Sequence, residues 1–290
     1  MTRHRSTTNR RLFLKEALAG AVVGLPMMKA DLMVSLAKKR KLSRIGVQLY
    51  TVRRELEKDF EGTLEKVAAL GFSEVEFAGY FNRTPQQVKS VLARNNLSSP
   101  SVHVLTAGLR SNLQQTIDAA KTIGHQYVVC AYLLPEERKS LDDYKRLIEL
   151  FNDAGERLKK AGLQFCYHNH DFEFMPIDGK IPYDLILAGT DPKTVKMELD
   201  LYWIAKAEKN PLKYFSAYPG RFPLVHVKDM DATPKRFFTE VGRGTIDFKE
   251  IFAASEKAGI KHYFVEQDET PGSPFESIKM SIDYLKKLEF

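Results

Sequence analysis

Short apolar runs rich in β-branched and aromatic residues recur from Ile45 to the end of the chain, and longer stretches with helical periodicity separate them. Eight of these runs are predicted to be β-strands: residues 45–51, 73–78, 100–104, 127–132, 163–170, 195–200, 222–228 and 262–267. Amphipathic helices are predicted between them, for example over 63–70, 85–95, 141–160 and 248–258. The pattern therefore indicates eight βα units.

Glycines mark the predicted ends of several helices, where a residue without a Cβ turns left-handed at no steric cost. These glycines, each followed closely by a predicted strand, are Gly71, Gly124, Gly162 and Gly259. At the start of the seventh predicted helix, Asp247 with Glu250 three residues later is typical of a capping box. The repeated order of helix, glycine and strand supports an alternating α/β chain.

Eight βα units in roughly 245 residues have the size of a TIM barrel. We therefore predict an α/β protein with a single-domain (β/α)8 TIM barrel over residues 44–290. A doubly wound open sheet of eight strands is the competing topology. Residues 50–53 (YTVR) follow the first predicted strand in place of a glycine-rich loop, so no dinucleotide-binding site is expected there.

The positive charge of the chain is concentrated near its N-terminus. The whole sequence has a net charge of +7 and a pI near 9.1, but residues 1–44 hold eleven basic and two acidic side chains. The rest of the chain therefore carries a net charge of −2, which argues against a nucleic-acid partner. A hydrophobic share of 43% is enough for a sizeable core, and no apolar run of the body reaches membrane-spanning length.

An export signal is predicted at the N-terminus. Residues 9–15 (NRRLFLK) resemble a twin-arginine signal, and a mildly apolar stretch follows at 17–28. We therefore divide the chain into a leader and linker at 1–43 and a barrel at 44–290, and expect a periplasmic protein with no other membrane attachment. A basic N-terminal arm is the alternative. Cleavage of the leader stays open, because no clear small-residue cleavage site occurs near Ala30.

The two cysteines predict no redox function. Cys130 and Cys166 each lie inside an apolar strand-like run, as buried free thiols do. Two cysteines so placed provide neither a metal cluster nor a disulfide framework.

Residues with metal-binding side chains occupy the ends of the predicted strands, where the active sites of TIM barrels lie. They are Glu76, His103, His168, Asn169, His170, Glu198, Asp200, His226, Lys228 and Glu266. Because side chains alternate along a strand, His168 shares a face with His170, and His226 with Lys228. Carboxylates and imidazoles that converge from neighbouring strands predict a divalent-metal site, with an ion-pair network as the alternative.

Several motifs resemble those of the sugar phosphate isomerase/epimerase group of xylose isomerase-like TIM barrels, which is related to tagatose epimerases, inosose dehydratases and endonuclease IV. The matching segments are 167–174 (YHNHDFEF), 198–203 (ELDLYW), 226–229 (HVKD), 241–248 (VGRGTIDF) and 265–266 (VE). The resemblance implies one divalent cation, Mn, Mg, Co or Zn, held by Glu, Asp, His and Glu from strands five to eight. The last three of these ligands are matched by Asp200, His226 and Glu266.

The fifth strand departs from the family pattern, because His168 stands where the epimerases carry the first glutamate ligand. The alternatives at this position are His170 and Glu173. The predicted metal ligands are therefore His168, Asp200, His226 and Glu266.

A second departure is Trp203, which stands where the epimerases place a substrate-contacting histidine. Its indole is expected either to stack on a sugar face or to pack as an ordinary apolar side chain. The predicted substrate contacts are Glu76, His103, His170, Glu173 and Trp203.

The predicted site supports removal of a proton next to a carbonyl, with the metal stabilising an enediolate. Glu266 and His168 are predicted catalytic residues, and Lys228 is a third because a nearby cation is expected to lower its pKa. We predict a metal-dependent sugar isomerase or epimerase. A lyase or hydratase acting on a 3-keto-glycoside is the alternative, since a leaving group on the adjacent carbon directs the same intermediate towards elimination. Export favours a free sugar or keto-sugar over a sugar phosphate.

Two other classes of protein are weighed against such an enzyme. A nuclease resembling endonuclease IV is not expected, because it needs three metals and a basic groove. A non-catalytic sugar-binding barrel would need no metal. Residues 242–244 (GRG) are predicted to form either an anion-binding loop or, preferably, a tight turn. A small carbohydrate is thus the expected partner, and a homo-oligomer is compatible with the sequence.

Overall fold

The eight predicted strands form one closed parallel barrel. In the computed structural model, which describes residues 39–290, the strands are Gly46–Gln48, Glu74–Phe77, Ser98–Val104, Tyr127–Cys130, Gln164–His168, Val195–Asp200, Leu224–Val227 and His262–Val265. Each pairs in parallel with the next strand along the chain, and the eighth pairs with the first. The predicted (β/α)8 barrel is therefore confirmed, and the doubly wound sheet is wrong.

Helices surround the barrel and connect its strands. They are Arg53–Lys58, Phe60–Ala69, Pro85–Arg94, Thr106–Ser111, Leu113–Ile123, Leu141–Lys160, Pro182–Gly189, Leu201–Lys206, Pro211–Ala217, Phe248–Ala253, Ser255–Ala258 and Pro274–Leu285. Short 3-10 turns cover Leu49–Val52, Pro135–Glu137 and Phe172–Phe174. Within residues 39–290, none of the helices is long and apolar enough to cross a membrane. The predicted twin-arginine motif and apolar stretch, at 9–28, lie outside the described residues.

The helix ends follow the predicted signals. Gly124 and Gly259 end their helices in the left-handed conformation, with φ of 104° and 82°, and the other two predicted glycines also have positive φ. Asp247 accepts the backbone N–H of Glu250 at 3.0 Å and so begins a helix, as predicted. That helix is interrupted after Ala253, so the predicted single segment at 248–258 is wrong in its continuity.

The longest helix, Leu141–Lys160, fixes the position of the fifth strand. Its buried face includes Phe151, whose ring centroid lies 5.3 Å from that of Phe165 and 5.0 Å from that of Tyr167. Each aromatic side chain buried in this way contributes about 1.5–3 kcal/mol relative to exposure. The strand that ends in His168 is thereby held against the helix layer.

At Gly155 this helix packs closely against the backbone that leads into the sixth strand. A Cβ on Gly155 would lie 2.9 Å from the carbonyl oxygen of Thr194, which belongs to the backbone and cannot rotate away. We expect Gly155→Ala to lower the free energy of unfolding by about 1–3 kcal/mol, measured by urea denaturation. Gly108→Ala is the matched control, because the nearest atom to its Cβ would be 3.7 Å away. Equal stability of the two variants would contradict the close approach.

Candidate active site

The polar residues predicted at the strand ends converge at the C-terminal mouth of the barrel. A cavity of about 490 Å³ opens there, and its lining includes His103, His168, His170, Lys228 and Glu266. The other strand-end residues are fully buried in contact with this lining: Glu76, Glu198, Asp200 and His226. Strand alternation and barrel closure therefore bring the predicted metal ligands together.

An outer cluster of charges surrounds the amine of Lys228. The Lys228 Nζ lies 2.6 Å from Glu266 Oε2, 3.1 Å from Asp200 Oδ2 and 2.9 Å from Asp268 Oδ1. Glu266 Oε2 is also 2.9 Å from His226 Nδ1. We call Asp200, Lys228, Glu266 and Asp268 the outer cluster. Three carboxylates here face a single ammonium group.

An inner cluster lies on the other side of His226 and consists of Glu76, His103 and Glu198. His103 Nε2 lies 2.6 Å from Glu198 Oε2 and 3.2 Å from Glu76 Oε2. Glu76 also accepts hydrogen bonds from Gln48 and Ser101, at 2.7 and 2.5 Å. Glu76 is completely buried and lies outside the cavity lining, and its predicted contact with substrate stays a prediction.

His168 and His226 stand between the two clusters, and each presents one ring nitrogen to each side. His226 Nδ1 is 3.8 Å from Asp200 Oδ2, whereas its Nε2 is 3.3 Å from Glu198 Oε2. His168 Nε2 is 3.9 Å from Asp200 Oδ2, whereas its Nδ1 is 3.3 Å from Glu198 Oε2. Strand register explains this, because Glu198 pairs with His168 and Asp200 pairs with His226.

The donor set fits a divalent cation. Carboxylate oxygens and imidazole nitrogens are the usual ligands of such ions, and Asp200, His226 and Glu266 bring their ligand atoms within 4.8 Å of one another. His168 Nδ1 is buried and makes no hydrogen bond with another described residue, whereas Asp200 Oδ2 is paired with the Lys228 ammonium at 3.1 Å. Buried polar atoms are normally paired, so the unpaired nitrogen of His168 indicates room for a further binding partner.

The charges of the outer cluster set its protonation. Burial alone would lower the pKa of Lys228, but Asp200, Asp268 and Glu266 raise it well above the ordinary value. Burial opposes ionisation of Glu266, yet Lys228 and His226 hold its pKa well below the usual range. Burial raises the pKa of Asp268 to about 6. The raised pKa of Lys228 reflects the three carboxylates of the chain, and the expected lowering of this pKa by a bound cation stays a prediction.

The imidazoles of the site differ in protonation. Burial alone would lower the pKa of His103, but Glu76 and Glu198 raise it to about 10. The pKa of His168 falls well below its ordinary value because of burial and the neighbouring His226. Burial also lowers the pKa of His170, to about 3. His168 and His170 are therefore neutral near pH 7, which is the form of imidazole that binds metals.

Glu173 supports the fifth strand and does not face the cavity. Its carboxylate is fully buried, accepts the hydroxyl of Tyr167 and accepts the backbone N–H of His170 at 2.8 Å. This placement shows a structural role for Glu173, and its two predicted roles, as a substrate contact and as an alternative ligand, stay predictions. Because its two partners flank His168 in the chain, Glu173 fixes the direction in which His168 projects.

The pKa of Glu173 predicts a pH effect on stability. Burial raises this pKa from 4.5 to about 7. The folded state thus binds the proton of Glu173 more tightly than the unfolded state does, and protonation stabilises the fold. This contribution to the free energy of unfolding is complete below pH 4.5 and is lost as the pH rises through 7. Relative to wild type, Glu173→Gln should gain stability between pH 5 and pH 8, measured as the difference in Tm. Parallel Tm curves for the two proteins would contradict this assignment.

Trp203 packs in an aromatic wall behind the cavity. Its ring centroid lies 5.3 Å from that of His170, 4.9 Å from that of Tyr202 and 5.7 Å from that of Phe238. Phe238 belongs to a two-stranded ribbon, Asp229–Met230 with Phe238–Thr239, that follows the seventh strand. Trp203 is not part of the cavity lining, so of its two predicted roles the packing role is the one this structure shows.

Residues of the connecting loops complete the cavity, and sequence analysis did not select them. Tyr50, Leu105 and Tyr132 supply apolar walls, while Arg53 and Asp268 supply charge. The Arg53 guanidinium lies 4.0 Å from the centroid of the Tyr50 ring. In the sequence, the only indication that these residues line the cavity is that each lies within a few positions of a strand end.

The predicted anion-binding loop is a tight turn. Asp229 Oδ2 accepts the N–H groups of Gly242 and Gly244 at 2.9 and 3.0 Å, and its Oδ1 accepts those of Met230 and Ile246. A Cβ on Gly244 would lie 2.2 Å from Asp229 Oδ1. The amides of the loop thus bind a carboxylate of the chain itself, as the preferred interpretation of the sequence predicted.

Comparison with known proteins agrees with this geometry. The sequence model of the xylose isomerase-like TIM barrel family matches residues 64–288. The chain belongs to this family. Inosose dehydratase of Lacticaseibacillus casei is 23% identical over 269 residues, which cover 79% of this chain and 89% of the relative.

Solved structures of the xylose isomerase-like family share the fold. A sugar phosphate isomerase/epimerase from Parabacteroides distasonis has a TM-score of 0.73 and 28% identity, with 84% of this chain and 93% of that chain covered. The IOLI protein, whose crystal structure contains a zinc atom, has a TM-score of 0.67 and 14% identity, with 83% and 95% covered. The family thus includes dehydratases, isomerases and epimerases, and this chain is an enzyme of that general type.

Proposed function

We propose that this chain is a divalent-metal-dependent carbon–oxygen lyase that acts on an unphosphorylated keto-sugar or a related cyclic ketone. The observation that carries the proposal is the pairing of one carboxylate, Glu266, with one ammonium, Lys228, on the same side of the cavity. An elimination needs one group that accepts the proton from carbon and a second group nearby that donates a proton to the leaving oxygen. The dehydratase relatives are consistent with this choice over the isomerase that the sequence first favoured.

The metal ligands in this proposal are those predicted from the sequence: His168, Asp200, His226 and Glu266. A bound divalent cation would polarise the substrate carbonyl and make the adjacent C–H bond more acidic. The low pKa of His168 keeps its imidazole available as a neutral ligand.

Glu266 is the proposed proton acceptor. Its Oε2 is held by His226 and Lys228, whereas its Oε1 has no hydrogen bond to any described residue and belongs to a side chain that lines the cavity. The low pKa of Glu266 ensures that the group is ionised when substrate binds. It removes the proton from the carbon next to the carbonyl.

Lys228 is the proposed proton donor to the leaving oxygen. As the C–H bond breaks, its electrons form a carbon–carbon double bond and the C–O bond of the next carbon breaks. The departing oxygen takes a proton from the Lys228 ammonium and leaves as water or as an alcohol. Glu266 and Lys228 are 2.6 Å apart, so the proton on Glu266 can return to Lys228 after each turnover.

Isomerisation or epimerisation is the second candidate. Epimerisation needs a proton acceptor on each face of the substrate, and His170 supplies a neutral imidazole in the cavity lining in addition to Glu266. Its Nδ1 makes no hydrogen bond to a described residue. The name of the Parabacteroides distasonis relative is consistent with this alternative.

The charges of the cavity favour an unphosphorylated substrate. The lysine and arginine side chains of the lining are Lys228 and Arg53. Lys228 contacts three carboxylates, and Arg53 donates to two backbone carbonyls and lies 3.7 Å from Glu269. Within the described residues, neither cation is left for a phosphate dianion. The proposed periplasmic location of the enzyme points to the same class of substrate.

Proton NMR in heavy water tests the reaction class. The full chain with added Mg or Zn is incubated with ketoses, cyclic polyol ketones and 3-keto-glucosides. Release of water or an aglycone with formation of an unsaturated ketone supports the lyase. Deuterium incorporation with conversion to an isomer supports the second candidate and overturns the first. Binding of sugar without metal and without exchange would instead support a non-catalytic barrel.

A further inference from the structure

We propose that the inner cluster, together with His168 and His226, binds a second divalent cation such as zinc at a position distinct from the proposed catalytic metal. The ligand atoms are His103 Nε2, His168 Nδ1, His226 Nε2 and a carboxylate oxygen of Glu198. These four residues bring their ligand atoms within 4.8 Å of one another. Three imidazoles and one carboxylate form a set that zinc accepts in tetrahedral sites.

The first argument is the arrangement of nitrogens around Glu198. Glu198 Oε2 lies 2.6 Å from His103 Nε2 and 3.3 Å from both His168 Nδ1 and His226 Nε2. A single oxygen cannot use three imidazole groups of this kind equally well as hydrogen-bond donors. His168 Nδ1 accordingly makes no hydrogen bond, although its side chain is only 4% exposed.

The second argument is the other oxygen of Glu198. Glu198 is completely buried, and its Oε1 has no hydrogen-bond partner among the described residues. A buried carboxylate oxygen without a partner is costly, whereas a cation at the carboxylate would satisfy it. Unpartnered atoms therefore occur on both His168 and Glu198, the two residues that meet at the centre of the cluster.

The third argument is support from neighbouring residues. Glu76 accepts hydrogen bonds from Gln48 and Ser101 and lies 2.7 Å from His226 Nε2. Glu76 Oε2 thus faces the same nitrogens of His103 and His226 that the cation would bind, so its carboxylate would balance part of the charge of the cation. His103 and His168 line the cavity, which gives a cation a path to the cluster.

His168 and His226 would serve both positions as bridging imidazolates, because a neutral imidazole has only one nitrogen with a free lone pair. Each ring would release its remaining N–H proton to solvent when the second cation binds. Each imidazole faces Glu198 with one nitrogen and Asp200 with the other. The inner cation would hold the two rings in the orientation that the outer position needs. Its role is therefore to position these ligands, with no contact to substrate.

The experiment is a count of zinc per chain. The full chain is stripped with a chelator, loaded with zinc, dialysed and analysed by inductively coupled plasma mass spectrometry. We expect two zinc ions in wild type and one in His103→Ala, Glu198→Gln or Asp200→Asn. His103→Ala removes a ligand of the inner position only, whereas Asp200→Asn affects the outer position only.

His262→Ala is the matched control. His262 lies 2.8 Å from the buried carboxylate of Glu74. The substitution therefore removes an imidazole that pairs with a buried carboxylate, as His103 does, but at a place outside both clusters. It should keep two zinc ions. Glu198→Gln preserves side-chain shape and remains informative if His103→Ala does not fold.

The proposal is overturned if wild type binds one zinc ion and both His103→Ala and Glu198→Gln retain it. It is also overturned if wild type binds two and those variants still bind two. Failure of the proposed catalytic site gives a different result, in which Asp200→Asn leaves the zinc count unchanged while His103→Ala and Glu198→Gln lower it.

Discussion

Asp200→Asn should abolish turnover while the barrel stays folded. The two oxygens of Asp200 have different roles: Oδ1 accepts the N–H of Trp203 at 2.8 Å and caps the following helix, whereas Oδ2 faces Lys228, His168 and His226. An asparagine keeps the capping oxygen and removes the charge. Metal affinity at the outer position should fall by more than the roughly 10- to 100-fold that loss of a supporting residue causes.

The measurements are the Tm, calorimetric titration with Mn and the rate of elimination. Asp200→Ala is the useful comparison, because it removes the cap as well and should cost about a further 1 kcal/mol of stability. An Asp200→Asn protein that binds Mn as tightly as wild type would exclude Asp200 as a ligand.

Lys228→Met should retain metal and lose a factor of about 10² to 10⁴ in kcat, the range that a general acid contributes. Methionine replaces the apolar part of the side chain, but Asp200, Glu266 and Asp268 then lose their shared counter-charge. Like charges raise one another's pKa values, so the pH–rate profile of the variant should shift towards higher pH.

Substrates with better leaving groups separate a proton donor from a purely structural residue. An aryl 3-keto-glucoside, whose leaving oxygen needs little protonation, should regain most of the lost rate in Lys228→Met. Arg53→Met, which removes the other cation of the lining, is the control and should lower affinity for substrate without this recovery. An equal loss for all leaving groups would remove Lys228 from the role of acid.

The positions of the strands could be predicted from the sequence because parallel barrel strands are buried on both faces. The convergence of His168, Asp200, His226 and Glu266 could also be predicted, because the strand ends of a closed barrel meet at one mouth. The metal assignment itself stays a prediction. Periodicity gives the face of a strand but not depth along the barrel axis, which is why Glu76 was expected to touch substrate and is instead buried.

Protonation could not be predicted from the sequence. The pKa of Lys228 depends on Asp268, which lies forty residues away in the chain and follows a different strand. Glu198 was selected as a strand-end residue, yet nothing in the sequence shows that it meets His103 from the third strand. Such contacts depend on side-chain direction after the barrel has closed.

The turn around Asp229 has a consequence for the evolution of this chain. The carboxylate of Asp229 occupies the space beside Gly244. Replacement of Asp229 alone would leave four backbone N–H groups without their acceptor, and a side chain at Gly244 would collide with Asp229. Asp229 and the two glycines should therefore be inherited as a unit and covary among homologues.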